Sequence, residues 1–305
     1  MERWGAIDIG TNSVRILIGD VENGNIEYII KEVRTTRLGE GLSLNGYLDS
    51  DAMDRTIVAL SYFKELLNQY KVENVRVVAT SACRDAVNGS EFANKISQCL
   101  GLDVDILSGR DEAAFEFAGA INDFSDIDSS ITLIDIGGGS TEIMEGKGGI
   151  LEYIESFPMG AVRLKEMFVG FRSNSLWADM KDYIQNLLQH SYDGHSNHLI
   201  GTGGTITSLA AIDLELEVYD AKRIHGYRLT NEKIENIFNR LNAMSLDERK
   251  NIKGLQPRRA DIILPGIYIL IVVMDYMGES ELTVSDKDIL EGLLLGKSKK
   301  FKKRC

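Results

Sequence analysis

A chain of 305 residues, 44% hydrophobic and 26% charged, is long enough for two domains and has the balance of a soluble globular protein. Its formal net charge of −12 argues against a nucleic-acid partner, because phosphate backbones reward clustered Lys and Arg. The three cysteines, Cys83, Cys99 and Cys305, and the four histidines show no metal-ligand spacing, which excludes a zinc module and fits a reducing, cytoplasmic compartment.

The first strand begins almost at once, leaving no room for a leader before Arg3-Trp4-Gly5-Ala6. Ile7-Asp8-Ile9-Gly10-Thr11-Asn12-Ser13-Val14-Arg15-Ile16 reads as strand, tight loop and strand. Asn23-Gly24 turns the chain into a further strand over 26–33, so the opening is an antiparallel meander. Met53, Ile57, Leu60 and Leu67 recur at helical spacing and predict an amphipathic helix over about 51–70. A short buried strand, 75–79, runs into Thr80-Ser81-Ala82-Cys83-Arg84. There, beyond a strand end, Arg84 either forks onto a phosphate or pairs with Asp85 at the surface.

Residues 90–100 read as a helix closed by Gly101, and 104–107 as a strand. Ser108 then caps a helix through Ile121, with Asp111 and Glu112 in its first turn. Acidic residues there complement the helix macrodipole, but a carboxylate at the same place can also orient an attacking water. The polar run 122–130 is the expected hinge, dividing a domain of residues 1–124 from one of 125–305 whose last helix can pack back on the first.

Leu133-Ile134-Asp135-Ile136-Gly137-Gly138-Gly139-Ser140-Thr141-Glu142-Ile143 repeats the first hairpin without a gap: Ile, Asp, Ile, Gly, two variable positions, Ser, a variable pair, Ile. The repeat suggests two related halves, each with a strand-loop-strand phosphate hairpin. Glycines that admit φ > 0 can aim successive amides at an anion, and Asp135 and Glu142 flank the loop where a divalent cation could bridge them to phosphate. A meander over 140–156 follows, turning at 146–149, then a helix over 175–189 capped by Ser175. Strand 198–200 leads into a third glycine loop, Gly201-Thr202-Gly203-Gly204-Thr205, at a helix N-terminus suited to an anion. His225 precedes a helix capped by Thr230, and a lone histidine is more often structural than catalytic. Pro257-Arg258-Arg259-Ala260-Asp261 starts the apolar helix, whose stretch 262–274 is too short to span a bilayer and reads as buried; a strand (282–285), a helix (289–295) and a basic tail (297–304) complete the pattern.

Together these residues resemble the exopolyphosphatase and guanosine pentaphosphate phosphohydrolase (Ppx/GppA) family of the actin, sugar kinase and Hsp70 ATPase superfamily. The motifs that carry the resemblance run from Ala6–Arg15 through Thr80–Arg84, Ser108–Ala113, Ile134–Glu142, Gly201–Ala210 and His225-Gly226 to Arg259–Gly266. The resemblance implies an α/β fold of two ribonuclease-H-like domains with the active site in an interdomain cleft. It implies Glu112 as the catalytic base, and Asp135 and Glu142 as the holders of Mg²⁺ (or Mn²⁺). Asp8, Thr11, Asn12, Ser13, Arg15, Arg84, Gly137, Gly138, Gly139 and Ser140 fall at its phosphate-binding positions, and Gly203, Gly204 and Thr205 extend that set through the third loop. Asp111 stands where Glu is common, and Leu290 where the family usually has Arg.

The implied reaction releases terminal phosphate from inorganic polyphosphate, with short chains expected because the chain stops before the helical domains of longer relatives. The alternatives are pppGpp hydrolysis and a non-catalytic (p)ppGpp or nucleotide sensor. Polyphosphate or guanosine pentaphosphate is the expected partner, with no nucleic acid, no membrane and a homodimer as an open option. Glu112 is expected to be ionised, and basic enough to act only with substrate bound.

Overall fold

The computed structural model describes residues 2–124, 130–147, 150–169, 175–189 and 198–296. Strands β1 (Glu2–Ile9), β2 (Ser13–Glu22) and β3 (Asn25–Thr35) form the opening meander, followed by helix α1 (Ser50–Gln69), β4 (Asn74–Ala79), α2 (Ser81–Asp85), α3 (Gly89–Leu100), β5 (Val104–Ile106) and α4 (Gly109–Ala120). The second meander is β6 (Ile131–Ile136), β7 (Thr141–Lys147) and β8 (Ile150–Phe157). It leads to α5 (Leu176–Gln189), β9 (His198–Thr202), α6 (Gly203–Asp213), β10 (Arg228–Thr230), α7 (Asn231–Asn242), α8 (Ile263–Met277), β11 (Glu281–Val284) and α9 (Ile289–Leu295).

The described residues divide into two compact units. One takes 2–40, 46–122 and 287–296; the other takes 41–45 and the described residues between 123 and 286. The first unit is built on a five-stranded sheet in the order β3-β2-β1-β4-β5, antiparallel through the meander and parallel from β1 to β5. The second is built on a six-stranded sheet, β10-β11-β9-β6-β7-β8. In both, a β-hairpin whose loop carries the Asp-x-Gly-x-x-Ser pattern joins two inner strands, and a parallel strand lies on its other side.

The cores follow from burial of apolar faces. In the first unit Ala6, Leu17, Val21 and Val78 pack against Ile289, Leu290, Leu293 and Leu294 of α9. Two glycines permit that seat: a Cβ at Gly119 of α4 would overlap the carbonyl of Asp288, and a Cβ at Gly292 would overlap the carbonyl of Phe115. In the second unit the largely apolar α8 is the centre, with Ile267, Ile269, Leu270, Val273 and Met274 all buried. No helix among the described residues is long and apolar enough to cross a membrane.

Several local expectations change. Pro257–Arg259 form a single 3₁₀ turn, and the apolar helix starts later, at Ile263, since Pro at a first helical position begins a turn readily but does not extend one. The five-residue helix α2 lies where the sequence shows only a strand running on into Arg84. Gly146 and Lys147 belong to β7 instead of its turn, and Gly148 and Gly149 lie outside the described residues. So do most of the expected hinge, residues 125–129, and the basic tail.

Candidate active site

The sequence repeat is a repeat of geometry. Gly10 N–H donates to the Ser13 carbonyl at 3.0 Å, and Gly137 N–H donates to the Ser140 carbonyl at 3.0 Å, closing the same loop twice. In the first hairpin Asp8 stands opposite Arg15 and Ile9 opposite Val14; in the second Asp135 stands opposite Glu142 and Ile136 opposite Thr141. Residues opposite each other in an antiparallel pair share a face and lie close together, so each loop has a charged pair at its root.

The first pair is a clasp. Arg15 donates from Nε and Nη2 to Asp8 Oδ2, at 2.9 and 2.7 Å, and from Nη1 to Asp288 at the N-cap of α9. Burial pushes the Asp8 carboxyl up from its ordinary value, and the Arg15 guanidinium counters part of that rise. An ionised carboxylate repels phosphate, so Asp8 serves the loop by holding Arg15. Arg15, expected to bind phosphate, is engaged by two carboxylates instead. The loop itself is braced from behind: the Asn12 carbonyl accepts from the N–H groups of Thr36 and Arg37, and the Thr11 carbonyl from Gly39. Thr11 and Ser13 are buried, and Asn12 donates to Ser13 Oγ at 3.3 Å.

Glu112 sits in the first turn of α4. Ser108 caps that helix, accepting from Asp111 N–H at 3.1 Å and donating to Asp111 Oδ2 at 2.7 Å. Glu112 is 9% exposed, and Arg84 donates from Nη1 to its Oε2 at 2.6 Å. Arg84 also donates to the Leu107 carbonyl and stands 3.7 Å from Asp85. Both sequence readings of Arg84 miss its closest partner. Burial pushes the Glu112 carboxyl up to about 7, even with Arg84 opposing the rise. The expectation that substrate alone would make Glu112 basic is therefore corrected, because desolvation already does so.

In the second unit the loop carbonyls are pinned from outside. Ala161 N–H donates to Gly137 O, Val162 and Arg163 N–H donate to Gly138 O, and Arg163 Nε donates to Gly139 O at 2.7 Å. A Cβ at Gly160 would overlap Gly138 and Gly139, so this second segment can lie directly against the loop. The three loop glycines do not use positive φ; in this region that conformation belongs to Gly203 (φ 85°). The expectation of φ > 0 at Gly137–Gly139 is thus corrected. What the fold requires nearby is a bare backbone at Gly160, for close packing against that loop. Ser140 is buried at the loop's end.

Gly203 opens α6 against Asp135, where any side chain would overlap the Asp135 carboxylate, and Gly204 lies under the guanidinium of Arg259. Arg259 is a cation at an anion-favouring helix N-terminus, missed as a site residue because it lies 55 positions further along the chain. Thr205 is buried, its hydroxyl packed against Gly266 of α8. It supports the loop from below. Glu142 is fully buried and accepts from Ser156 Oγ at 2.6 Å, while Asp135 is half-buried. Two carboxylates on one sheet face, with no softer ligand, suit a hard cation that takes one or two protein oxygens and completes its shell with water and phosphate. Among the described residues no group of three or more metal-ligating side chains forms. His225 donates from Nε2 toward Asp123 at 3.3 Å and accepts from Asp286 N–H, a structural role within the second unit.

The family model of the Ppx/GppA phosphatase family matches residues 17–301. The chain is 32% identical over 314 residues to exopolyphosphatase 2 of Mycobacterium tuberculosis, covering 97% of this chain and 98% of that protein. It is 34% identical to the bifunctional 3-dehydroquinate synthase/phosphatase of Fusobacterium nucleatum, spanning 46% of that longer protein. To the guanosine-5′-triphosphate,3′-diphosphate pyrophosphatase of Aliivibrio fischeri it is 29% identical and spans 59% of it. The crystal structure of an exopolyphosphatase from Cytophaga hutchinsonii superimposes with a TM-score of 0.89 at 27% identity, over 97% of each chain. By motif order, fold and near-complete coverage, the chain belongs to the Ppx/GppA phosphatase family, whose members are hydrolases of phosphoric anhydride bonds.

Proposed function

We propose that this protein releases terminal phosphate from inorganic polyphosphate, with hydrolysis of pppGpp as the second reading. The observation that carries the hydrolytic part is Glu112: a buried carboxylate at a helix start, lifted to about 7 and held by an arginine. A base works best with a pKa near the working pH. Glu112 takes the proton of the attacking water. Arg84 holds Glu112 until phosphate oxygens compete for the guanidinium, and losing that counter-ion makes the carboxylate a stronger base as substrate arrives. Loop amides and Arg84 stabilise charge on the phosphoryl oxygens.

Asp135 and Glu142 would hold Mg²⁺, which when bound supplies neutralising charge to the phosphoryl group. Ser156 and Gly203 fix those two carboxylates, the first by its hydrogen bond to Glu142 and the second by leaving room for Asp135. Polyphosphate is preferred over pppGpp because the relative covered nearly end to end carries the exopolyphosphatase name, whereas the pyrophosphatase is covered over little more than half. Phosphate release from short polyphosphate, long polyphosphate, pppGpp and ATP, measured side by side, tests this. Fastest release from short polyphosphate, with gradual shortening of a long chain on a gel, is expected. Faster turnover of pppGpp overturns the substrate choice, and tight nucleotide binding without turnover overturns the enzymatic reading.

A further inference from the structure

One segment sets the second phosphate loop from behind. Ala161 N–H donates to the Gly137 carbonyl, Val162 and Arg163 N–H donate to the Gly138 carbonyl, and Arg163 Nε donates to the Gly139 carbonyl at 2.7 Å. A trans peptide unit is planar, with its N–H pointing opposite to its C=O, so fixing a carbonyl also fixes the N–H of the next residue. Three successive carbonyls held on one side therefore turn the N–H groups of Gly138, Gly139 and Ser140 to the other. Among the described residues no group accepts from those three N–H groups, although Gly139 and Ser140 are buried. A buried donor without an acceptor is costly, and three in a row point to an anion as the acceptor.

We infer that Arg163 is a positioning residue for the phosphoryl group: through the Gly139 carbonyl it aims the Ser140 N–H into the same cradle as the N–H groups of Gly138 and Gly139. The inference rests on the hydrolytic reading above and assigns its second loop a residue that sets the donors.

The side chain matters because the three carbonyls are held differently. Backbone groups that any residues at 161–163 supply hold the first two. The Gly139 carbonyl is held by the Arg163 side chain and, among the described residues, by nothing else. That side chain works from a fixed base. Gly160 lies bare against Gly138 and Gly139, the Thr141 hydroxyl donates to the Met159 carbonyl, and Met159, Ala161 and Leu164 are buried. The charge of the guanidinium adds to the geometry. A hydrogen bond from a cation polarises the peptide unit and makes the N–H at its far end a stronger donor. A donor aimed in advance at developing phosphoryl charge needs no reorganisation during reaction, so its loss is felt in kcat.

Two substitutions of similar length separate the hydrogen bond from the charge. The amide nitrogen of Gln stands as many bonds from the backbone as Arg Nε, so Arg163→Gln keeps a donor there without the charge. Arg163→Met keeps the stem and no donor. Steady-state kinetics on the full chain, with polyphosphate and with pppGpp in parallel, should show kcat for Arg163→Met lower by roughly ten-fold or more, with KM within about two-fold of wild type. Arg163→Gln should recover most of that loss. Turnover near wild type in both variants overturns the proposal, as does a Gln variant no better than the Met variant. A raised KM at unchanged kcat in both would make Arg163 a substrate contact and overturn it too. A second measurement does not depend on turnover. In protein labelled with ¹⁵N at glycine and serine, inorganic phosphate should shift the Ser140 amide resonance in wild type and in Arg163→Gln, and leave it in place in Arg163→Met. A wild-type Ser140 resonance indifferent to phosphate overturns the proposal. The expected shifts without hydrolysis of any anhydride would uphold it and overturn only the hydrolytic reading.

Discussion

The two hairpins share a backbone and differ at their roots. Each places an aspartate one residue before the strand end, and each loop closes with the same Gly-to-Ser hydrogen bond. Yet the first sets Asp8 opposite an arginine, and the second sets Asp135 opposite a glutamate. One is a neutral clasp tied on to Asp288; the other is a doubly acidic face suited to a cation. A duplicated scaffold thus serves two ends through a single cross-strand position, and charge, not loop shape, separates them.

The largest effect is expected in the unit that carries the neutral clasp, at its base. Glu112→Gln keeps shape and removes the proton acceptor, so turnover should fall by roughly 10² to 10⁴ with substrate binding retained. Near-normal turnover in a steady-state assay would return Glu112 to the role of helix-dipole partner. Next comes the clasp itself. Arg15→Met leaves Asp8 and Asp288 facing each other without their shared cation, and breaking a buried pair in this way costs about 3–5 kcal/mol in urea unfolding. A loss below 1 kcal/mol would mean that the clasp is not structural, and the contrast between the hairpins would collapse.

A third effect reads the burial of Glu112. Because its folded pKa is raised, the folded state binds the proton more tightly than the unfolded chain. The associated stability is full below the ordinary carboxylate value and is lost as pH rises through about 7. Wild type should therefore lose up to about 3 kcal/mol relative to Glu112→Gln between pH 4.5 and 8. Parallel stability curves for the two proteins would refute the raised value. The smallest effect probes the acidic hairpin. Glu142→Arg gives the second root the composition of the first, and the Mg²⁺ concentration for half-maximal activity should rise 10–100-fold. In wild type, EDTA should abolish activity and Mg²⁺ or Mn²⁺ restore it. Full activity in EDTA sinks the cation reading.

Much of this was readable from sequence because it is local. The repeat of Ile-Asp-Ile-Gly with Ser three residues on locates both hairpins and sets Asp135 and Glu142 at the flanks of the second loop, whereas the pairing of Asp8 with Arg15 emerges only from the strand register. The Ser108 cap likewise follows from residues three apart. What escaped is what packing decides. Arg84 finds Glu112 across 28 positions, and Arg15 finds Asp288 across 273. No periodicity carries such pairs. The glycine loop misled for a different reason: glycine admits positive φ but does not require it, and here Gly160 is bare because another segment lies against it. Desolvation of Glu112 was equally hidden, since burial depends on α4 being covered from several sides.

The seat of α9 on α4, β1 and β2 also has a consequence for biosynthesis. Its residues come off the ribosome after the whole of the second unit, which is almost contiguous in sequence and can collapse while synthesis continues. The nascent first unit must wait with Ala6, Leu17, Val21 and Val78 uncovered until residues 289–294 emerge. A pause or premature stop late in translation would thus leave a finished second unit attached to an aggregation-prone first one. Chaperone dependence should track translation of the segment that encodes residues 289–294.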